Sequence, residues 1–150
     1  MKTFTTTLCL VLLTLHAVTS NAQSKRSGKP QLFASLPAKI ELSEAQLHNL
    51  FVLSQGQQAE LPVSASTKLS GTVTSNLVKY DNLQTLVIKL PAYNNTLISI
   101  SRQSENHSIS FVGRIFNPLF DDGFELKKIQ NGLYQLVKIG TANTLTDCSL

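Results

Sequence analysis

An Asn–Gly dipeptide between two apolar-rich runs is the feature that most constrains how this 150-residue chain can fold. Asn131 and Gly132 suit the two positive φ angles of a type I′ turn, so the sequence predicts a β-hairpin over residues 124–139. The register follows from pairing Gln130 with Leu133 across the turn. The pairs predicted further along the two strands are Leu126 with Val137, Phe124 with Ile139, and Glu125 with Lys138.

Alternation of apolar and polar residues predicts further strands before this hairpin. The alternating runs cover residues 69–74, 86–90, 98–101 and 109–115. Turn-forming residues, chiefly Asn, Asp and Ser, separate the runs, as in an antiparallel meander. Residues 60–65 are expected to add a strand at an edge of the sheet, because Pro62 has no backbone N–H to donate. The predicted total is six or seven strands.

One helix is predicted, beginning at Ser43 and ending near Ser54. Ser43 and Gln46 have the spacing of a capping box, in which each side chain binds the backbone amide of the other residue. An apolar stripe at helical spacing follows, formed by Leu47, Leu50 and Phe51. The expected fold is α+β and mostly β, with one N-terminal helix packed on a curled antiparallel sheet or small open barrel. A β-sandwich is the alternative.

The N-terminal residues are expected to direct export. Residues 1–22 have the organisation of a cleaved signal peptide: Lys2, a short apolar run, then small residues at Ser20 and Ala22. Residues 23–36 are predicted to be a flexible basic linker, and residues 37–150 a single β-rich domain. The mature protein is therefore expected to be secreted or periplasmic.

The charge distribution argues against a nucleic-acid partner. Four of the 13 basic residues precede Pro30, whereas all nine acidic residues follow it, so the predicted domain has no excess of positive charge. Binding to phosphates requires clustered Lys and Arg side chains. No apolar run is long enough to cross a membrane, which takes about 20 residues.

The one acidic cluster of the chain occupies residues 121–125. A calcium loop is one interpretation, but Leu119 interrupts the alternation of oxygen ligands and Lys128 stands where a closing Glu is needed. The other interpretation is a tight turn into the hairpin, in which Gly123 supplies a positive φ angle.

No recognisable motif for catalysis or cofactor binding occurs in the chain. His48, His107 and Cys148 lack the spacing of zinc ligands. We therefore predict no catalytic, metal-binding or cofactor-binding residues and no enzymatic activity. The role of Cys148 is left open, as is the use of the two glycosylation sequons at Asn94 and Asn106.

The pattern of glycines and aromatic residues resembles that of two groups of proteins. It consists of Ser110-Phe111-Val112-Gly113-Arg114-Ile115, Gly123-Phe124-Glu125-Leu126 and Gly132-Leu133-Tyr134-Gln135-Leu136. The chain is similar here to small exported β-rich bacterial proteins of unknown function and to the prodomains of secreted bacterial metalloproteases. The resemblance implies a free-standing module that binds a protein partner, and it transfers no functional residue.

The favoured function is therefore that of an exported, non-enzymatic binding module with a protein partner. Such a module is expected to expose an apolar patch or a free sheet edge. A protease inhibitor or stand-alone prodomain-like regulator is the first alternative, with residues 54–66 lying along a protease cleft. A small-ligand carrier and a hydrolase with an unrecognised site are the others.

Overall fold

The computed structural model describes residues 28–106, 108–130 and 132–140. The described part contains eight strands: β1 (Lys39–Ser43), β2 (Gln58–Pro62), β3 (Lys68–Tyr80), β4 (Leu83–Leu90), β5 (Thr96–Glu105), β6 (Ser108–Phe116), β7 (Asp122–Gln130) and β8 (Leu133–Gly140). Helix α1 (Glu44–Phe51) lies between β1 and β2, and a short 3-10 helix (Pro91–Tyr93) lies between β4 and β5.

The strands form one antiparallel sheet that is nearly closed into a barrel, in the order β1-β8-β7-β6-β5-β4-β3-β2. From β2 to β8 each strand pairs with the next along the chain, which confirms the predicted meander and curled sheet. β2 is an edge strand, as Pro62 indicated. The predicted count of six or seven was wrong because β1 was missed. In β1, buried Ile40 and Leu42 alternate with exposed Lys39 and Glu41, and the strand ends at the residue that caps the helix.

The predicted capping box is confirmed. Ser43 Oγ accepts a hydrogen bond from Gln46 N at 3.2 Å, and Ser43 N donates to Gln46 Oε1 at 2.7 Å. The helix ends at Phe51, earlier than predicted, with Val52 as the C-cap. The prediction that the helix is N-terminal was wrong, since β1 precedes it. Its apolar stripe is buried, as expected.

Helix α1 crosses one mouth of the barrel. At its start, Glu44 N donates to Gly132 O in the β7–β8 turn, at 2.9 Å. At its end, the Asn76 amide on β3 donates to Phe51 O, also at 2.9 Å. The helix is therefore fixed to two hairpins on different parts of the sheet, and its buried face covers the core between them.

Residues 30–36, which we call the N-terminal plug, fill the opposite mouth. Phe33 is fully buried, with its ring centroid 5.3 Å from that of Tyr93 and 5.4 Å from that of Phe124. Leu36 is also buried. The packed core therefore begins before residue 37, the boundary predicted from the basic character of the preceding residues. The apolar residues of the plug pack against the open end of the sheet, although basic residues precede them in the chain.

The β7–β8 hairpin has a different register from the predicted one. Gln130 pairs with Leu133 as expected, but Ile129 forms a β-bulge and shifts the remaining pairs by one residue. Val137 is consequently not opposite Leu126, Ile139 is not opposite Phe124, and Glu125 is not opposite Lys138. The observed pairs are Phe124 with Lys138, Glu125 with Val137, and Leu126 with Leu136.

Gly123 does not form the predicted turn. It lies within β7, and its φ angle is not among the positive ones. A Cβ atom added to Gly123 would lie 2.5 Å from the backbone oxygen of Ile115, so glycine is needed for the close approach of β7 to β6.

Several predicted features lie outside the described residues: the signal peptide 1–22 with its cleavage site, His107, Asn131 and Cys148. Within the described part, no helix combines the length and apolar character needed to span a bilayer.

Candidate functional site

The end of the β3–β4 hairpin exposes an unusual amount of apolar surface. The exposed fractions are 60% for Leu77, 63% for Val78 and 60% for Tyr80. Val52, at the end of α1, is 79% exposed, and it lies between the two residues whose carbonyls bind the Asn76 amide. We call these four residues the hairpin surface.

Two irregularities of β3 produce this surface. Its pairing with β4 shifts between Val73 and Ser75 and again between Val78 and Tyr80. Beyond the first shift, the inward position is occupied by Asn76, whose amide nitrogen bonds Phe51 O and Leu53 O. The strand therefore continues past α1, and its last residues have no core to cover.

Polar contacts hold the base of the hairpin surface. Gln84 Nε2 donates to Asn76 Oδ1 at 2.7 Å, which links β4 to the residue that binds α1. The Arg102 guanidinium lies 5.6 Å from the centre of the Phe51 ring. A small cavity of about 40 Å³ lies here, lined in part by Val78, Tyr80 and Arg102. The hairpin is thus anchored where it leaves the barrel, while its apolar side chains face solvent.

A second concave surface lies on the outer face of the sheet. It has a volume of about 330 Å³ and is lined mainly by Ser99, Ser101, Val112, Gly113, Arg114 and Glu125. We call it the groove. Its walls come from β5, β6 and β7, and the registers place Arg114 directly between Ser99 on β5 and Glu125 on β7.

Gly113 determines the shape of the sheet beneath the groove. A Cβ atom at this position would lie 2.5 Å from Ser99 O and 3.1 Å from Ile100 Cα. Because backbone cannot yield as a flexible side chain does, a larger residue would force β5 and β6 apart. Glycine at this position therefore permits the pairing of β5 with β6, the strands that carry most of the groove.

The charged groups of the groove are unequally paired. The Glu125 carboxylate lies 2.9 Å from Lys127 Nζ, whereas Arg114 has no ion pair within the described residues. Thr85 Oγ1 and Ser101 Oγ are 3.1 Å apart. The groove therefore contains one guanidinium without an ion pair among the described residues and two serine hydroxyls, of which Ser101 is hydrogen-bonded to Thr85, beside a carboxylate that already has a cation.

The acidic cluster has a structural role. Asp122 is buried, and its two oxygens accept hydrogen bonds from Leu32 N at 2.6 Å and Phe33 N at 2.9 Å. Glu125 lies on the outer face of the same strand with Lys127. Within the described ranges, no group of three or more His, Cys, Asp or Glu side chains is arranged to hold a metal ion.

The remaining residues considered from the sequence lie apart from both surfaces. His48 is on α1, 3.8 Å from Glu44, and its ring packs edge-on against Phe111. Asn94 is exposed at a left-handed position after the 3-10 helix. The sequence-based predictions did not include the residues of the hairpin surface or of the groove. The adjacent apolar pair Leu77-Val78, which breaks the alternation of β3, was the available signal.

No protein-family model, no curated protein and no solved structure matches the chain.

Proposed function

We propose that the protein is an exported, non-enzymatic binding module whose partner is a protein, and that the hairpin surface is its contact with that partner. The observation that carries the proposal is the exposure of four large apolar side chains at one end of the barrel. Exposed apolar surface favours association, because burying it is favourable by about 25 cal/mol per Å².

The composition of the hairpin surface favours a protein as the ligand. Tyr80 offers an aromatic ring with a polar end, which is the type of side chain enriched at interface hot spots. Lys79 Nζ lies 5.6 Å from the centre of that ring. Asp81 and Asn82 in the following turn are exposed. An apolar centre with a polar rim is typical of protein interfaces.

The fold also bears on the alternatives. The regulator of a protease was expected to present residues 54–66 as an extended segment. Five of these residues form β2, in which Ala59 and Leu61 are buried against the core. A carrier of small ligands was expected to have an apolar cavity inside the barrel. In the structure, buried apolar side chains pack together there. These facts favour recognition through an outer surface.

The test is site-specific photo-crosslinking in the cells that produce the protein. A photoreactive residue at Val78 is expected to crosslink one protein species, whereas the same residue at exposed Lys89 on the outer face of β4 is not. The captured protein is then purified and its affinity measured directly.

Matched variants complete the test. Replacing Leu77, Val78 and Tyr80 with Ser is expected to weaken binding at least tenfold, since each lost anchor costs about 1 kcal/mol or more. Leu119→Ser is the control, because Leu119 is 70% exposed outside the hairpin surface. Equal crosslinking at Val78 and Lys89, or unchanged affinity of the triple variant, would contradict the proposal.

A further inference from the structure

We infer that the groove is a second binding site, and that it takes the C-terminal carboxylate of a polypeptide with an apolar last residue. The inference rests on the proposed function only in taking the ligand to be a polypeptide. It is carried by Arg114, which lies in a concave site between Ser99 and Glu125 and has no ion pair within the described residues.

The donors of the groove suit a carboxylate. The guanidinium of Arg114 is planar and presents parallel N–H groups that match the two oxygens of a carboxylate. Ser99 is directly opposite Arg114, and Ser101 is directly opposite Val112. When Thr85 donates to Ser101, the Ser101 hydroxyl proton is free to donate to a ligand.

The other walls of the groove select among anions. Glu125 is directly opposite Arg114 on β7, and its negative charge disfavours a doubly charged phosphate in the same space more strongly than a singly charged carboxylate. The same carboxylate can accept a hydrogen bond from a backbone N–H of a peptide. Val112 is 58% exposed and supplies an apolar wall for the last side chain. The C-terminus of a peptide with an apolar last residue carries one carboxylate for Arg114, one backbone N–H for Glu125 and one apolar side chain for Val112.

The shape of the site is fixed before any ligand arrives. The groove lies on the paired strands β5 and β6 and not on a loop. Gly113 allows these strands to pair without a steric clash. Ligand sites that are already formed lose less conformational entropy on binding. Its volume of about 330 Å³ falls within the range of small-ligand pockets, and it is large enough for the end of a peptide chain.

The experiment is an NMR titration of the isotope-labelled protein with two synthetic peptides. The probes are acetyl-Ala-Ala-Val with a free C-terminal carboxylate and the same peptide as its C-terminal amide. The free acid is expected to shift the signals of Ser99, Gly113 and Arg114 in a saturable manner. The amide is expected to bind at least tenfold more weakly.

Two variants and a third probe decide whether Arg114 is responsible. Arg114→Gln is expected to abolish the preference for the free acid, whereas Lys89→Gln, which removes one positive charge elsewhere on the outer face, is expected to retain it. Equal affinity for the acid and the amide, equal shifts with inorganic phosphate, or unchanged binding by the Arg114 variant would each overturn the inference. Because the peptides do not require the hairpin surface, this inference and the proposed function can fail separately.

Discussion

Asp122 and Lys138 hold opposite ends of the same N-terminal turn. The Asp122 carboxylate accepts hydrogen bonds from the backbone N–H groups of Leu32 and Phe33, and Lys138 Nζ donates to the carbonyl oxygens of Phe33 and Leu36, each at 2.7 Å. The acid thus binds two N–H groups of the turn and the base binds two of its carbonyls, of which Phe33 O also accepts from Leu36 N at 3.0 Å. This arrangement lets two charged side chains face a mouth of the barrel that Phe33 otherwise fills with apolar surface.

Asp122→Asn is expected to destabilise the protein by about 1–3 kcal/mol. One carboxylate oxygen becomes an amide NH₂ group, which faces a backbone N–H that then loses its acceptor. Urea denaturation provides the measurement. Asp121→Asn is the control, because it changes the same charge at the neighbouring, less buried position. Equal unfolding midpoints for the two variants would mean that the plug does not depend on Asp122.

Ser43→Ala is expected to lower the free energy of unfolding by about 0.5–2 kcal/mol, since Gln46 N loses its acceptor in the first turn of α1. The measurement is again the urea midpoint. Ser70→Ala, on the exposed outer side of β3, is expected to leave it nearly unchanged. A Ser43 variant as stable as the wild type would show that the capping box contributes nothing to stability.

Gly132→Val is expected to lower the melting temperature by several degrees. Gly132 has a φ angle of +74°, and no atom lies within 4 Å of a Cβ added there, so the cost comes from the backbone conformation alone. For a β-branched residue this cost is about 1 kcal/mol or more. Gly28→Val, at an exposed position without a positive φ angle, is expected to melt with the wild type. Melting of both variants at the same temperature would contradict the prediction.

Tyr134 is expected to make stability fall at alkaline pH. Burial raises the pKa of its phenol, and the hydrogen bond from Phe111 N opposes this rise. The unfolded chain then loses the phenolic proton first, so this contribution is complete below about pH 10 and disappears as the pH rises through the higher pKa of the folded state.

Tyr134→Phe tests this effect. At about pH 8 the variant is expected to be less stable than the wild type by about 1–3 kcal/mol, because Phe111 N loses its hydrogen-bond acceptor. Between about pH 10 and the raised pKa of the folded state, the wild type is expected to lose stability more steeply than the variant, so the difference between them narrows. A constant difference across both ranges would rule out ionisation of Tyr134 as the cause.

The face of β8 shows why the hairpin register could not be predicted. Leu133, Val137 and Ile139 belong to the more apolar of its two faces, and Val137 and Ile139 were expected opposite Leu126 and Phe124. The buried face instead contains Tyr134 and Leu136, with Lys138 at its end. The Tyr134 hydroxyl accepts a hydrogen bond from the Phe111 amide, and Lys138 donates to carbonyls about a hundred residues away in sequence. Such distant partners are invisible to a local pattern.

Local signals were sufficient where local physics decides. The capping box at Ser43, the edge position of Pro62 and the strands at the alternating apolar runs all depend on neighbours in sequence, and each was predicted correctly. The groove was not predictable, because Arg114 acquires its significance from residues on two other strands. The same holds for β1: its residues alternate, but its partner strand is β8, at the other end of the described residues, and no hairpin turn marks the pairing.

The pairing of β1 with β8 has a consequence for the order of folding. Lys39 lies opposite Val137, while every other pair of neighbouring strands is consecutive along the chain. Contacts distant in sequence close loops at the greatest entropic cost and form late. We expect β1 amides to exchange hydrogen faster than those of β4 and β5, and equal protection would argue against this order.

A chain that has emerged from a ribosome or a translocation channel only as far as β7 carries β1 with no strand to pair with. The addition of β1 to the sheet is then timed by the arrival of β8.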